Sequence, residues 1–135
     1  MSPSQRKDPT QGKGQPLSRS FACAFQGIKN AFQERNMRIH ACFAIAACIL
    51  GIVLGIDPPQ WLAVIICICL VFSLEIINTA LEAIVDLVSP KYNDLAKRAK
   101  DCSAGAVLVC AIGSLFVAAV VFLPALFRFA NAMMA

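Results

Sequence analysis

The chain has 135 residues, of which 59% are apolar and only 15% charged, with a net charge of +4 and a mean hydropathy of +0.70. A soluble domain carries about 25% charged residues, so this composition excludes a soluble enzyme, a disordered chain and a cationic nucleic-acid binder. The charge is informative by position. Residues 1–38 hold seven basic side chains against Asp8 and Glu34, whereas residues 39–90 contain no Lys or Arg but do contain Asp57, Glu75, Glu82 and Asp86.

In chain order, residues 1–16 are polar and rich in Pro, Gly and Gln, which predicts a disordered tail. Gly12-Lys13-Gly14 lacks the spacing and the preceding strand of a phosphate-binding loop. Residues 17–135 read as one membrane domain. From about 17 to 36, Phe21, Phe25, Ile28 and Phe32 recur at helical spacing, with Arg19, Gln26, Lys29 and Gln33 on other sides. That pattern predicts an amphipathic helix on the cytoplasmic leaflet, or a helix packed on a bundle. Three apolar stretches follow, and a bilayer core needs about 20 helical residues to cross it. The spans are placed at about 39–57, 60–87 and 101–128. The expected fold is therefore an all-α integral membrane protein, three transmembrane helices plus an N-terminal surface helix.

The Lys/Arg bias puts the N-terminus and the basic segment 91–101 in the cytoplasm, and the Asp57–Gln60 turn and C-terminus outside. The expected location is the inner, or plasma, membrane of a bacterium. Gly51 and Gly55 form a G-x-x-x-G, a spacing that lets helices approach closely. Seven cysteines contain no C-x-x-C pair, so they read as small apolar residues rather than a metal or redox site.

The second span carries the chemistry. At about 100° per residue, Asn78, Glu82 and Asp86 fall within about 60° of Glu75, so an amide and three carboxylates share one stripe of an otherwise apolar helix. Counted at ~1.5 Å per residue from Trp61, Glu75 lies about 21 Å deep, still inside the hydrocarbon core, and Asp86 lies beyond its cytoplasmic edge. A carboxylate at such depth costs roughly 2.5–3.5 kcal/mol and usually marks a functional site. Three like charges need relief from basic segments, a bound metal or protons. Carboxylates with one amide suit a hard ion such as Mg²⁺, and a desolvated carboxylate suits a general base. Lys97, Lys100 and Asp101 share a helical face before the third span, and Glu34 to His40 precede the first span at the same level. An acid stripe beside basic segments points to phosphate chemistry on a headgroup at the inner leaflet. A proton- or cation-coupled transporter built around Glu75 would use that carboxylate, but would leave Glu82, Asp86 and Lys100-Asp101 without a task.

The string from Glu75 to Asp86 (EIINTALEAIVD) resembles the E-x-x-N-[ST]-A-[IL]-E-x-[VI]-V-D signature of the small bacterial lipid kinases, diacylglycerol kinase and undecaprenol kinase. Ala96–Asp101 with Ser103–Leu108 is similar to the family's second block, and Glu34–His40 resembles the E-R-N-M-[RK]-I-H stretch of the undecaprenol kinase branch. The resemblance covers about residues 18–125. It implies an ATP-dependent kinase acting on a membrane lipid hydroxyl, undecaprenol ahead of diacylglycerol, assembled as a homotrimer with shared sites. It further implies Glu75 as general base, Glu34 and Glu82 as ligands of Mg²⁺ bound to ATP, and Asn78, Lys100 and Asp101 at the nucleotide. Asp86, Lys97 and Arg38 stand in supporting positions. Asn93, where the family usually has His after Tyr, remains able to donate a hydrogen bond there.

Overall fold

A computed structural model describes residues 16–134, and within them every regular element is an α-helix. The expected tail, 1–16, lies outside the described residues but for Pro16. Helix α1 runs Leu17–Ala31, α2 Arg35–Leu54, α3 Pro58–Val88 and α4 Asp94–Met134. The last three are long and apolar enough to cross a membrane.

Local chemistry sets the boundaries, and each differs somewhat from the expected one. The first helix ends at Ala31, not 36, because Phe32 closes it and a tight turn brings Glu34 to the N-cap position of α2. Helix α2 thus starts four residues before the expected 39, with no side-chain hydrogen bond from Glu34 to its first turn. The helix then stops at Leu54 because Gly55 adopts φ 60°, a left-handed conformation that terminates helices and that a side chain would strain. Asp57 starts α3 through a reciprocal capping box with Gln60, and prolines at the first two positions need no N–H partner. Asn93 caps α4: its Oδ1 accepts the backbone N–H of Leu95 at 2.9 Å and of Ala96 at 3.2 Å. The basic segment 91–101, expected as a loop, is therefore mostly the first two turns of α4. Only residues 89–93 connect α3 to α4.

Helices α3 and α4 pack along each other most extensively, α2 lies against both, and α1 touches α3. Phe32 meets Phe72 edge to face, with ring centroids 6.1 Å apart. The tight core is small and sits at the end far from Glu75, where Ile56, Val64, Val121, Phe122 and Ala125 are buried with Trp61 against them. Many large apolar side chains elsewhere face outward, as expected where the surrounding solvent is lipid tails or further copies.

The two glycines of G-x-x-x-G have separate intrachain tasks. A Cβ on Gly51 would lie 2.9 Å from two atoms of the Trp61 ring and 3.0 Å from Ile56 Cδ1, so the indole occupies the space that a side chain would take. Gly55 supplies the left-handed cap.

Candidate functional site

The acid stripe of α3 turns inward, toward α4. Val64, Val71, Glu75 and Asn78 are the buried residues of α3. Glu75, 2% exposed, and Asn78, 5% exposed, are the buried polar side chains among the described residues. Every one of these positions recurs after three, four or seven residues, so one face carries an apolar lower half and a polar upper half.

Asn78 is the hub of the polar half. Its Nδ2 donates to Glu82 Oε1 at 3.1 Å, and its Oδ1 accepts the Ser103 hydroxyl from α4 at 2.6 Å. The same hydroxyl lies 2.9 Å from the carbonyl of Lys100. Lys100 in turn reaches back to α3, its ammonium 2.6 Å from Asp86 Oδ1. Lys97 pairs instead with Asp101 at 2.6 Å, one turn along its own helix. The shared face expected for Lys97, Lys100 and Asp101 is thus divided: Lys100 bridges to the stripe, while Lys97 and Asp101 satisfy each other at the surface. With both partners about 60% exposed, this second pair adds little stability.

Glu75 makes no hydrogen bond through its carboxylate among the described residues, and no buried side-chain oxygen or nitrogen there lacks a partner. His40 shares a cavity wall with Val71 and Phe72, and Phe32 packs on Phe72, so the stretch around the start of α2 lies beside α3 within about a turn of Glu75. Arg38 points elsewhere, lining an open concavity with Arg35, Ile39, Cys42 and Phe43. Asn93 spends its carbonyl oxygen on capping α4, leaving only its NH₂ for a ligand. Tyr92 beside it donates to Asp94 at 2.9 Å.

Below the carboxylates runs an apolar cavity of about 250 Å³ between α2, α3 and α4, its walls including His40, Phe43, Val71, Phe72, Leu115 and Phe122. Val71, one helical turn from Glu75, is part of the cavity wall; Glu75 itself is not. Its walls suit a hydrocarbon chain.

Oxygen donors from Glu34, Glu75 and Glu82 fit a hard divalent ion. No ion pair reaches any of the three among the described residues, which leaves their charge uncompensated. Among the described residues they do not come together as a group that could hold an ion by themselves.

Ser103 is the residue missed by sequence reasoning. It lies 25 positions from Asn78, and its one local signal is a hydroxyl one turn beyond Lys100, in a stretch otherwise made of small residues.

Three membrane-length helices with a buried carboxylate, an amide hub and basic residues at one end define a membrane enzyme of phosphate chemistry. Comparison with known proteins gives the family. Residues 22–122 match the family model for prokaryotic diacylglycerol kinase. The chain is 42% identical over 109 residues to an undecaprenol kinase of Bacillus subtilis, covering 80% of this chain and 89% of that one. It is also 42% identical over 109 residues to a diacylglycerol kinase of Synechocystis, covering 79% and 62% respectively. A diacylglycerol kinase of Escherichia coli K12 is 31% identical over 90 residues, 66% of this chain and 74% of that one. The chain belongs to the prokaryotic diacylglycerol kinase family and is a membrane lipid kinase. The transporter reading has no support from these relatives.

Proposed function

We infer that this protein transfers the terminal phosphate of ATP to the hydroxyl of undecaprenol at the cytoplasmic face of a bacterial inner membrane. The observation that carries the reading is Glu75: a carboxylate only 2% exposed on a membrane-length helix, one turn from a wall residue of an apolar cavity and on one stripe with Asn78 and Glu82. The likeness to an undecaprenol kinase over nearly all of its length favours that acceptor over diacylglycerol.

In this mechanism the lipid tail lies in the apolar cavity and its hydroxyl meets Glu75. As the hydroxyl oxygen bonds to the γ-phosphorus, the bond from that phosphorus to ADP breaks, and Glu75 takes the hydroxyl proton. Glu34 and Glu82 would hold Mg²⁺, whose charge would offset that of the ATP phosphates. Asn78 holds the Glu82 carboxylate in place. Lys100 exchanges Asp86 for a nucleotide phosphate, Asp101 and the Asn93 amide contact the nucleotide, and Lys97 and Arg38 add positive potential. Phosphoryl transfer of this kind depends mainly on positioning and charge, so no phosphate-binding loop is needed.

The N-terminus is cytoplasmic and the C-terminus outside, as the Lys/Arg bias requires. Helix α1 rests on the inner leaflet with Phe21 and Phe25, both largely exposed, toward lipid. Three copies form the working unit, sharing sites between neighbours; the many outward apolar side chains leave room for such contacts.

Transfer of labelled phosphate from Mg²⁺-ATP in detergent micelles tests the reading, with undecaprenol and diacylglycerol offered separately and the Glu75→Gln protein as blank. Transfer mainly to undecaprenol is expected. Transfer mainly to diacylglycerol would change the acceptor and keep the chemistry, and transfer to neither from a well-folded oligomer would end the proposal.

A further inference from the structure

The amide of Asn78 can face Glu82 in two ways, and only one is tolerable beside a carboxylate. With Nδ2 toward Glu82 the contact is a hydrogen bond of 3.1 Å. Turned over, it would set two acceptor oxygens against each other. The favourable orientation sends Oδ1 toward α4, where at 5% exposure it needs a donor that water does not readily supply. Ser103 is that donor, at 2.6 Å.

The hydroxyl has one proton and two acceptors in reach, Asn78 Oδ1 and the Lys100 carbonyl at 2.9 Å. The carbonyl belongs to the helix of Ser103 itself, the kind of contact that a serine makes in many helices. The contact to Asn78 crosses to another helix and is the shorter. It joins the amide that restrains Glu82 to the turn of α4 that carries Lys100, whose ammonium is also anchored on α3 through Asp86. One hydroxyl therefore sets the register between a carboxylate and a cation on two different helices.

We propose that Ser103 is a positioning residue of the kinase: by donating to Asn78 Oδ1 it locks the amide so that its NH₂ restrains Glu82 for the Mg²⁺-ATP complex. The proposal rests on the assignment of Glu82 to that complex. Ser103 is not part of the apolar cavity's wall, and in this proposal it acts only through Asn78. Removing the hydroxyl leaves the amide free to turn and the carboxylate free to leave its rotamer. The loss should appear in nucleotide binding rather than in the lipid pocket, which lies on the other side of Glu75.

The experiment uses the full-length protein in lipid micelles, with Ser103→Ala, Ser103→Thr, Asn78→Ala and the Ser103→Ala/Asn78→Ala double variant. KM for Mg²⁺-ATP, KM for lipid and kcat are measured for each, with oligomer size by chromatography. Loss of a hydrogen bond to a buried acceptor corresponds to about tenfold in a binding constant. Ser103→Ala should therefore raise KM for Mg²⁺-ATP about tenfold, leave KM for lipid within about twofold and leave oligomer size unchanged. Ser103→Thr, which keeps the hydroxyl, should recover most of the loss. The double variant should be no worse than Asn78→Ala alone, because Ser103 has no route except through Asn78. Wild-type kinetics for Ser103→Ala, equal losses in both KM values, or multiplying losses in the double variant would overturn the proposal. A Glu82→Gln protein separates it from its premise. If Glu82→Gln leaves KM for Mg²⁺-ATP unchanged, both the metal assignment and the proposed action on Glu82 are wrong. If Glu82→Gln raises it and Ser103→Ala does not, the assignment stands and the proposal falls.

Discussion

Replacing Gly51 by alanine tests whether the packing of α2 against Trp61 governs stability at the outer end of the bundle. The added Cβ would stand 2.9 Å from Trp61 Cη2 and Cζ2 and 3.0 Å from Ile56 Cδ1. Carbon atoms pack at about 3.5–4.0 Å, so the indole must withdraw by more than half an ångström. It has little freedom to do so, because Trp61 lies against the buried cluster of Ile56, Val64, Val121, Phe122 and Ala125. Overpacking of this kind costs about 1–3 kcal/mol, and exchanging glycine for alanine inside a helix returns roughly 0.5–1 kcal/mol. Taking the middle of each range, the net effect is a destabilisation of about 1 kcal/mol. Thermal unfolding of the purified protein in detergent should show it as a loss of several degrees in Tm. Gly113→Ala is the control, since a Cβ there meets nothing within 4 Å. In a Trp61→Phe background the smaller ring should remove most of the Gly51→Ala cost. Unchanged or raised Tm for Gly51→Ala, or the same loss with Phe at 61, would refute the steric argument. Activity per folded molecule should survive, because Trp61 stands about 21 Å along α3 from Glu75.

Glu75→Gln should reduce turnover to background while the oligomer elutes unchanged; residual activity near wild type would remove Glu75 from the role of base. Glu82→Gln should shift the magnesium dependence of the reaction to higher concentration, as read from initial rates at fixed ATP. Asn93→Ala should cost about 0.5–2 kcal/mol through loss of the α4 cap, and Asn93→Ser should restore most of it in the same melt. Tyr92 is the sole tyrosine, so phenolate absorbance follows it alone. Its hydrogen bond to Asp94, with a smaller contribution from burial and from the Asp101 charge, holds the phenol above its ordinary value. The bond is made by the protonated phenol, so its contribution is intact at neutral pH and is lost as pH rises through the raised value. Asp94→Asn should move that titration downward.

What the sequence discloses here is what repeats along one helix. Glu75, Asn78, Glu82 and Asp86 follow a period that any helix must honour, so their common face is legible before any coordinates exist. Contacts between helices leave no such mark. Ser103 and Asn78 are 25 positions apart and Lys100 and Asp86 are 14 apart, and nothing in either local pattern says that they meet. Spacing likewise places Lys97, Lys100 and Asp101 on one face without revealing that two of them neutralise each other. A helix end can depend on a single cap. Asn93 starts α4 earlier than hydrophobicity alone suggests, because a helix begins where its first N–H groups find acceptors rather than where the apolar run begins; α2 also starts early, without a side-chain cap from Glu34. Gly51 and Gly55 show the converse: a motif read as one unit serves two unrelated purposes, one steric and one conformational.

The unbroken length of α3 has a consequence for how two very different reactants find each other. From Glu75 to Asp86 the helix advances about 16 Å without a bend-inducing residue, passing from hydrocarbon to water. In the proposed mechanism it would work as a graduated rod whose marks are acidic side chains, the deepest set for an oily chain and the outermost for a soluble co-substrate. Neither reactant would then have to change phase: the lipid would stay below the surface, the nucleotide above it, and the rod would fix how far each must reach. Its calibration is rotational as well as linear. One residue gained or lost between Asn78 and Glu82 would turn everything beyond by about 100° and send the upper marks away from α4.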